Sequence, residues 1–310
     1  MELILIVLVL VAAVFMSVAI GASAIASAFG PVASSGSTNI LRAALLAGLA
    51  AFFGAVLQGR RVTETVGSGI LGESIGLTQA LIILSIASTL VIASTLTDYP
   101  MPTAFTVVGA VIGSGIGIGG SVSWGSVHLI LGYWALVPIL GIALGYGVFK
   151  VVKRFIPKEG NEERIKIVVL ILGLILAFNA GANSIGKAIG PLTALDTSTT
   201  NLLIFGGVAM MIGSWILSPR VINAISYDYS NIGPRRSMVA IGTAAFLTQI
   251  GTLLGVPISF AQAIIMAIIG SGMATDMSNV AGKKIFLTVV GWISAFMVAL
   301  ALSYAIGNII

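Results

Sequence analysis

The sequence predicts an all-α polytopic membrane protein: two inverted-topology repeats of about five transmembrane spans each, with broken helices at the centre. Three observations lead there. Hydrophobic residues make up 58% of the 310-residue chain and charged residues 8%, against about a quarter charged in a soluble domain, so the bilayer must act as the solvent. The apolar residues fall into ten runs, with a charged linker after the fifth. The two sets of five share sequence motifs at a nearly constant offset, the mark of an internal repeat.

A span needs about 20 apolar residues, and the first five runs lie near 3–20, 41–58, 77–97, 103–118 and 128–149. Met1 to Ile20 carries Glu2 and no basic leader, which marks a first span rather than a cleaved signal. His128, the one histidine, reads as an interfacial residue ahead of a span. The linker, 150–166, holds Lys150, Lys153, Arg154, Lys158, Glu159, Glu162, Glu163, Arg164 and Lys166. The second five runs lie near 167–180, 199–217, 237–254, 257–274 and 285–306. The organisation is therefore an N-terminal membrane repeat over 1–149, a cytoplasmic linker over 150–166 and a C-terminal repeat over 167–310.

The repeat is explicit. Ile20-Gly21-Ala22-Ser23-Ala24-Ile25-Ala26-Ser27-Ala28-Phe29-Gly30-Pro31 matches Ala180-Gly181-Ala182-Asn183-Ser184-Ile185-Gly186-Lys187-Ala188-Ile189-Gly190-Pro191 at an offset of 160. Gly48, Gly54, Arg61 and Val62 match Gly207, Gly213, Arg220 and Val221 at 159. Pro100 and Gly113-Ser114-Gly115 match Pro257 and Gly270-Ser271-Gly272 at 157, and Trp134 and Tyr146 match Trp292 and Tyr304 at 158. An odd number of spans per repeat turns the second repeat upside down. With both termini outside, 12 of the basic side chains lie inside (Arg42, the six of the linker, Arg220, Arg235, Arg236, Lys283, Lys284) and two, Arg60 and Arg61, outside. That bias obeys the positive-inside rule. Lys187 is left over, inside a motif.

Inverted repeats hold their substrate near the midplane, where broken helices meet. The paired Gly-Ala motifs are the candidates. Gly21, Gly30, Gly181 and Gly190 are the expected helix-break glycines, with Pro31 and Pro191 beside them, since Pro removes an N–H and Gly accepts unusual dihedrals. A helix that opens inside the membrane offers free N–H groups and the positive end of its dipole to an anion. Small-residue helix packing is the competing use of such glycines. Ser23, Ser27, Asn183 and Ser184 are the expected lining, and Lys187 is the sharpest candidate. A cation at the bilayer centre costs about 2.5–3.5 kcal/mol on insertion scales and is usually functional. The alternative is a lysine that snorkels to the interface. The segments Pro100-Met101-Pro102-Thr103 and Pro257-Ile258-Ser259 each open a run, so Thr103, Ser259 and Gln262 are further candidates, or else interfacial helix caps. The ten acidic residues all fall in loops or near run ends, which argues against a carboxylate-based cation pathway.

These motifs resemble the inorganic phosphate transporter family of phosphate and sulfate permeases, whose hallmark is a duplicated Gly-Ala-Asn-Asp-Val-Ala-Asn segment. The likeness runs over nearly the whole chain: both motifs, both Pro segments and the linker. It implies an inverted-repeat transporter with substrate and coupling ion held between the motifs. The family's Asn-Asp pair is here Ser23-Ala24 and Asn183-Ser184, and its later Asn is Ser27 and Lys187. In sodium-coupled phosphate members the Asp and Asn side chains are thought to serve sodium, so their loss argues against sodium coupling. Gly-Ala-Ser followed by Ser27 looks closer to the sulfate-permease branch, whose coupling is thought to use protons.

The expectation is therefore a secondary active permease of a tetrahedral oxyanion, proton-coupled, with sulfate favoured over phosphate. Sulfate has no proton to donate and wants donors only, whereas phosphate gains from an acceptor. The rivals are a sodium-coupled phosphate symporter, an anion channel and a non-transporting membrane subunit. No cofactor or metal is expected, since cysteine is absent and there is one histidine. No nucleophile–base pair or nucleotide loop points to an enzyme, and no basic tract to nucleic acid. The partners are the anion and the lipid bilayer, and a homodimer is permitted. Short loops favour a bacterial or archaeal cell membrane.

Overall fold

The computed structural model describes residues 2–97, 102–157, 160–195, 197–229, 232–275 and 282–309. Each of the ten apolar runs is a helix: α1 (Glu2–Ser34), α2 (Ile40–Gln58), α4 (Leu77–Thr97), α5 (Thr103–Gly117), α6 (Trp124–Phe155), α7 (Glu162–Ile189), α8 (Thr199–Tyr229), α9 (Gly233–Leu253), α10 (Phe260–Met273) and α11 (Gly282–Gly307). A short α3 (Arg60–Glu64) and a π-helical turn (Thr65–Gly69) follow α2, and a 3₁₀ turn (Gly190–Ala194) ends α7. Asn39 starts α2 by accepting a hydrogen bond from the Arg42 N–H at 2.8 Å. Trp124 and His128, exposed on the first turn of α6 with rings 6.3 Å apart, mark that helix's entry into the interface.

Among the described residues seven helices are long and apolar enough to cross a bilayer, and α5 and α10 are shorter apolar helices. The expectation of about five full spans per half is thus refined. In each half one apolar run is cut short because an extended, Pro-containing segment precedes it. Arg236, Gln249 and three threonines keep α9 out of the fully apolar group. The linker is also shorter than its charge suggests, because α6 runs on to Phe155 and α7 begins at Glu162.

The halves do not form two separate bundles. α1 packs on α8 and α7 on α2; α5 packs on α11 and α10 on α6. These are the same pairings with the halves exchanged, and the match extends to single residues. A Cβ on Gly21 would run into the Met210 carbonyl oxygen, and one on Gly181 into that of Ala51. Gly21 and Gly181, like Ala51 and Met210, are equivalent positions of the repeat. Gly54 sits against Phe178 and Gly213 against Val18 in the same relation, as do Gly113 against Leu300 and Gly270 against Ile142. Small residues let helix backbones touch where no hydrophobic force drives them together. Gly181→Ala is therefore expected to destabilise the fold by about 1–3 kcal/mol or more, read as a lower denaturation midpoint in detergent. Gly147→Ala, where an added Cβ meets nothing within 4 Å, is expected to leave it unchanged.

The glycines expected to break helices mostly do not. α1 continues through Gly21, Gly30 and Pro31 to Ser34, and α7 through Gly181 to Ile189. Close backbone packing is the use the structure gives Gly21 and Gly181. Gly190 alone coincides with a change, from α to 3₁₀, where Pro191 cannot continue the α ladder. The motifs therefore form the C-terminal parts of α1 and α7, the negative ends of those dipoles. The buried helix N-termini belong instead to α5 and α10, because Pro102 and the Pro257 segment open them. Pro100 and Met101 lie outside the described residues, as do Asp98, Asp196 and Asp276.

Candidate functional site

The site is built on the non-helical segment between α9 and α10. Gly255, at φ 73°, ends α9, and residues 255–259 run on as buried, non-helical backbone. Such backbone is tolerated at membrane depth only where the protein satisfies its polar groups. Here it does. The Val256 N–H donates to Gly251 O at 2.8 Å, and Val256 O accepts from Asn183 Nδ2 at 2.8 Å. Pro257 has no N–H, and its carbonyl accepts from Trp134 Nε1 at 2.8 Å. The Ile258 N–H donates to Asn183 Oδ1 at 2.8 Å. Ile258 O accepts from Lys187 Nζ at 3.1 Å.

Two successive turns of α7 thus grip the segment. A third residue of the same stripe, Asn179, donates to Ala245 O of α9 at 2.9 Å. The four-residue spacing of Asn179, Asn183 and Lys187 puts all three on one helix face. Asn179 was not among the sequence candidates, although that spacing would have found it. Asn183, expected to line an anion site, has its amide committed elsewhere: Oδ1 to Ile258 and Nδ2 to Val256 and, at 3.2 Å, Thr252 Oγ1. It holds the segment in place.

Ser259 is the N-cap of α10 and accepts from the Gln262 N–H at 3.3 Å. It is buried, so this cap sits inside the protein rather than at an interface. Gln262 Nε2 donates to Trp134 O at 3.1 Å. The Phe105 ring, on the first turn of α5, stacks on Trp134 with centroids 3.8 Å apart and planes at 22°. Trp134 therefore ties together the starts of α5 and α10, a role that its place in the repeat alone does not announce. Thr103 begins α5 and is buried, and α5 has no side-chain cap. The structure thus gathers Asn183, Lys187, Ser259 and Gln262 around one segment and links Thr103 to them through Phe105 and Trp134.

Ser23 and Ser27 sit differently. On half-buried stretches of α1, Ser23 Oγ donates to Ala19 O at 2.8 Å and Ser27 Oγ to Ser23 O at 2.9 Å. Their donors are spent on their own helix, as hydroxyls in apolar surroundings commonly are. Ser184 Oγ and Gln262 Oε1, by contrast, are buried and have no hydrogen-bond partner, a state that costs about 1–3 kcal/mol unless something pairs with them.

The electrostatics are simple. Lys187 is completely buried and is the one charged side chain in the buried set of described residues, where no Asp or Glu appears. Of its three N–H bonds, Ile258 O accounts for one. The arrangement presents a buried lysine amine, two buried helix N-termini and unpartnered polar atoms. No group of three or more His, Cys, Asp or Glu able to hold a metal occurs among the described residues.

Comparison with known proteins fits this geometry. The sulfate permease CysP of Bacillus subtilis is 31% identical over 300 residues, covering 94% of this chain and 84% of that protein. A putative phosphate permease of Pyrococcus abyssi is 24% identical over 393 residues, covering 98% and 97%. A solved structure titled "The sodium-dependent phosphate transporter" superposes with a TM-score of 0.87 at 19% identity, covering 98% of each chain, and so shares the fold. The model of the phosphate transporter family matches residues 20–303. The chain is a multi-pass membrane transporter, not an enzyme, and belongs to the phosphate transporter family.

Proposed function

We propose that this chain is a secondary active permease for a divalent tetrahedral oxyanion, sulfate in preference to phosphate, coupled to protons. One observation carries the reading: a fully buried lysine in an interior where the described residues include no buried carboxylate. A cation so placed needs a counter-charge, since an unpaired buried charge is costly, and an anion in transit supplies it. Ser184, Ser259, Thr103 and the first N–H groups of α5 and α10 add donors, and helix N-termini favour anions. The likeness to a sulfate permease over most of the chain points the same way.

The two halves act as inverted repeats. The exchange of pairing partners between them supports this, and the basic bias of the sequence favours both termini outside and the linker in the cytoplasm. Because each half packs into the other, alternating access arises as the group of α1, α2, α7 and α8 moves against the group of α5, α6, α10 and α11, about the segment gripped by Asn183 and Lys187.

A sodium-coupled phosphate symporter is the second reading. Gln262 Oε1 favours it, because a buried acceptor with no donor suits the P–OH of a protonated phosphate. The shared fold with a sodium-dependent phosphate transporter also favours it. Labelled sulfate and phosphate uptake into proteoliposomes, with proton and sodium gradients imposed separately, decides between them. The expected outcome is sulfate uptake driven by an inward proton gradient and indifferent to sodium. Phosphate uptake driven by sodium would replace the first reading with the second. Counterflow separates either from a channel: preloaded unlabelled anion accelerates labelled uptake only through a carrier.

A further inference from the structure

A groove of about 310 Å³ opens on the lipid-facing side between α6, α7 and α9. It is walled by Leu144, Val148 and Val152 of α6, Val168 and Leu172 of α7, and a face of α9 that includes Val239, Gly242 and Phe246. Along each wall these residues recur at three- or four-residue spacing, so each wall is one helix face. Gly242 keeps the floor open: an added Cβ there would touch only Leu172, at 3.5 Å. Apolar at every lining residue but Thr243, the groove has the character of a slot for a hydrocarbon chain.

The same three faces end in charge. One turn beyond Val168 on α7 is Arg164, which is exposed. One turn beyond Val239 on α9 is Arg235, whose Nη1 donates to Ile156 O at 3.1 Å. Ile156 in turn lies one turn beyond Val152 and caps α6. Arg164 and Arg235 therefore stand one turn past the apolar walls, at the end where α6 finishes and α7 and α9 begin. Among the described residues the acidic side chains at this end are Glu162 and Glu163, and Glu163 is paired with Lys166 at 2.9 Å.

We propose that this groove binds one anionic phospholipid, an acyl chain lying between α6, α7 and α9 and the headgroup phosphate held by Arg164 and Arg235. An apolar slot open to the bilayer is filled by lipid, and the paired arginines select lipids with net negative charge. Arginine matches a phosphate with two N–H donors at once. This site stands apart from the segment gripped by Asn183 and Lys187, and lipid bound there is independent of which anion is carried.

The test is native mass spectrometry of the purified protein given equal amounts of phosphatidylglycerol and phosphatidylcholine of the same acyl chains. Retention of phosphatidylglycerol over phosphatidylcholine by roughly thirtyfold is expected, the size that two basic residues near an anionic headgroup produce. Arg164→Glu, at an exposed position that no fold contact requires, is expected to remove most of that preference, and adding Arg235→Ala to abolish it. Gly242→Trp is expected to displace both lipids. Lys150→Ala, an exposed basic residue over the Tyr146 ring and off the groove faces, is expected to keep the preference. Equal retention of the two lipids by the wild type, or an unchanged ratio in Arg164→Glu, would overturn the proposal. So would a dimer that carries no lipid and that Gly242→Trp splits, because the groove would then belong to a second copy.

Discussion

Lys187→Met is expected to cut oxyanion uptake to roughly one-hundredth of wild type, a loss of about 3 kcal/mol for removing one partner of a buried charge pair. Methionine keeps most of the volume and the unbranched shape of lysine but carries no charge and no donor. It removes the one buried charge among the described residues and leaves Ile258 O without its 3.1 Å hydrogen bond. The second effect is modest, about 1 kcal/mol, so the folded protein should survive while transport fails. The measurement is labelled sulfate uptake in proteoliposomes at matched protein incorporation, with the denaturation midpoint followed in parallel. If the lysine only braces the segment after α9, the midpoint falls and uptake per folded molecule is retained.

Asn183→Leu is expected to act the other way round, on structure first. It deletes the donor to Val256 O, the acceptor for the Ile258 N–H and the contact with Thr252. Two backbone groups would then be buried unpaired, at about 1–3 kcal/mol each. The denaturation midpoint should drop sharply, and amide exchange should accelerate at Val256 and Ile258 more than in α1 or α11. Asn183→Asp separates support from charge. A carboxylate there still accepts from the Ile258 N–H, and it lies one turn from Lys187, so it supplies the counter-charge that the anion should supply. It is expected to lose sulfate transport while remaining more stable than Asn183→Leu.

Several parts of this molecule are legible in the sequence. The ten helices are, because composition this apolar leaves the backbone no partner in lipid but itself. The exchange of helix partners is foreshadowed by the constant offset between motifs, and the glycines that carry it match residue for residue. Lys187 stands out because a charge inside an apolar motif demands a partner.

Other features are hidden for physical reasons. Gly and Pro allow a helix to break but do not require it. Gly30-Pro31 lies inside α1, which runs on to Ser34, whereas Gly190-Pro191 marks the change from α7 to a 3₁₀ turn. The buried helix openings come instead from the segments holding Pro102 and Pro257, where the backbone runs extended into the first turn of α5 and of α10. Asn183 reads as a ligand by type and serves as a brace by geometry, since its partners are backbone groups some 70 residues away that no local pattern announces. Trp134 is invisible for the same reason: its indole reaches Pro257 O and its ring carries Phe105. Gln262 reads in the sequence as a polar residue near a helix start, but only the structure reveals that its Oε1 lacks a partner.

The most direct measurement is equilibrium binding of sulfate to the purified wild-type protein in buffer free of sodium, by calorimetry, repeated with sodium added. If Lys187 supplies the positive charge that neutralises the anion, sulfate binds without sodium, sodium changes the affinity by less than about twofold, and Lys187→Met removes binding in both buffers. Sulfate binding that appears only with sodium, or that persists in Lys187→Met, would contradict a lysine-neutralised anion site.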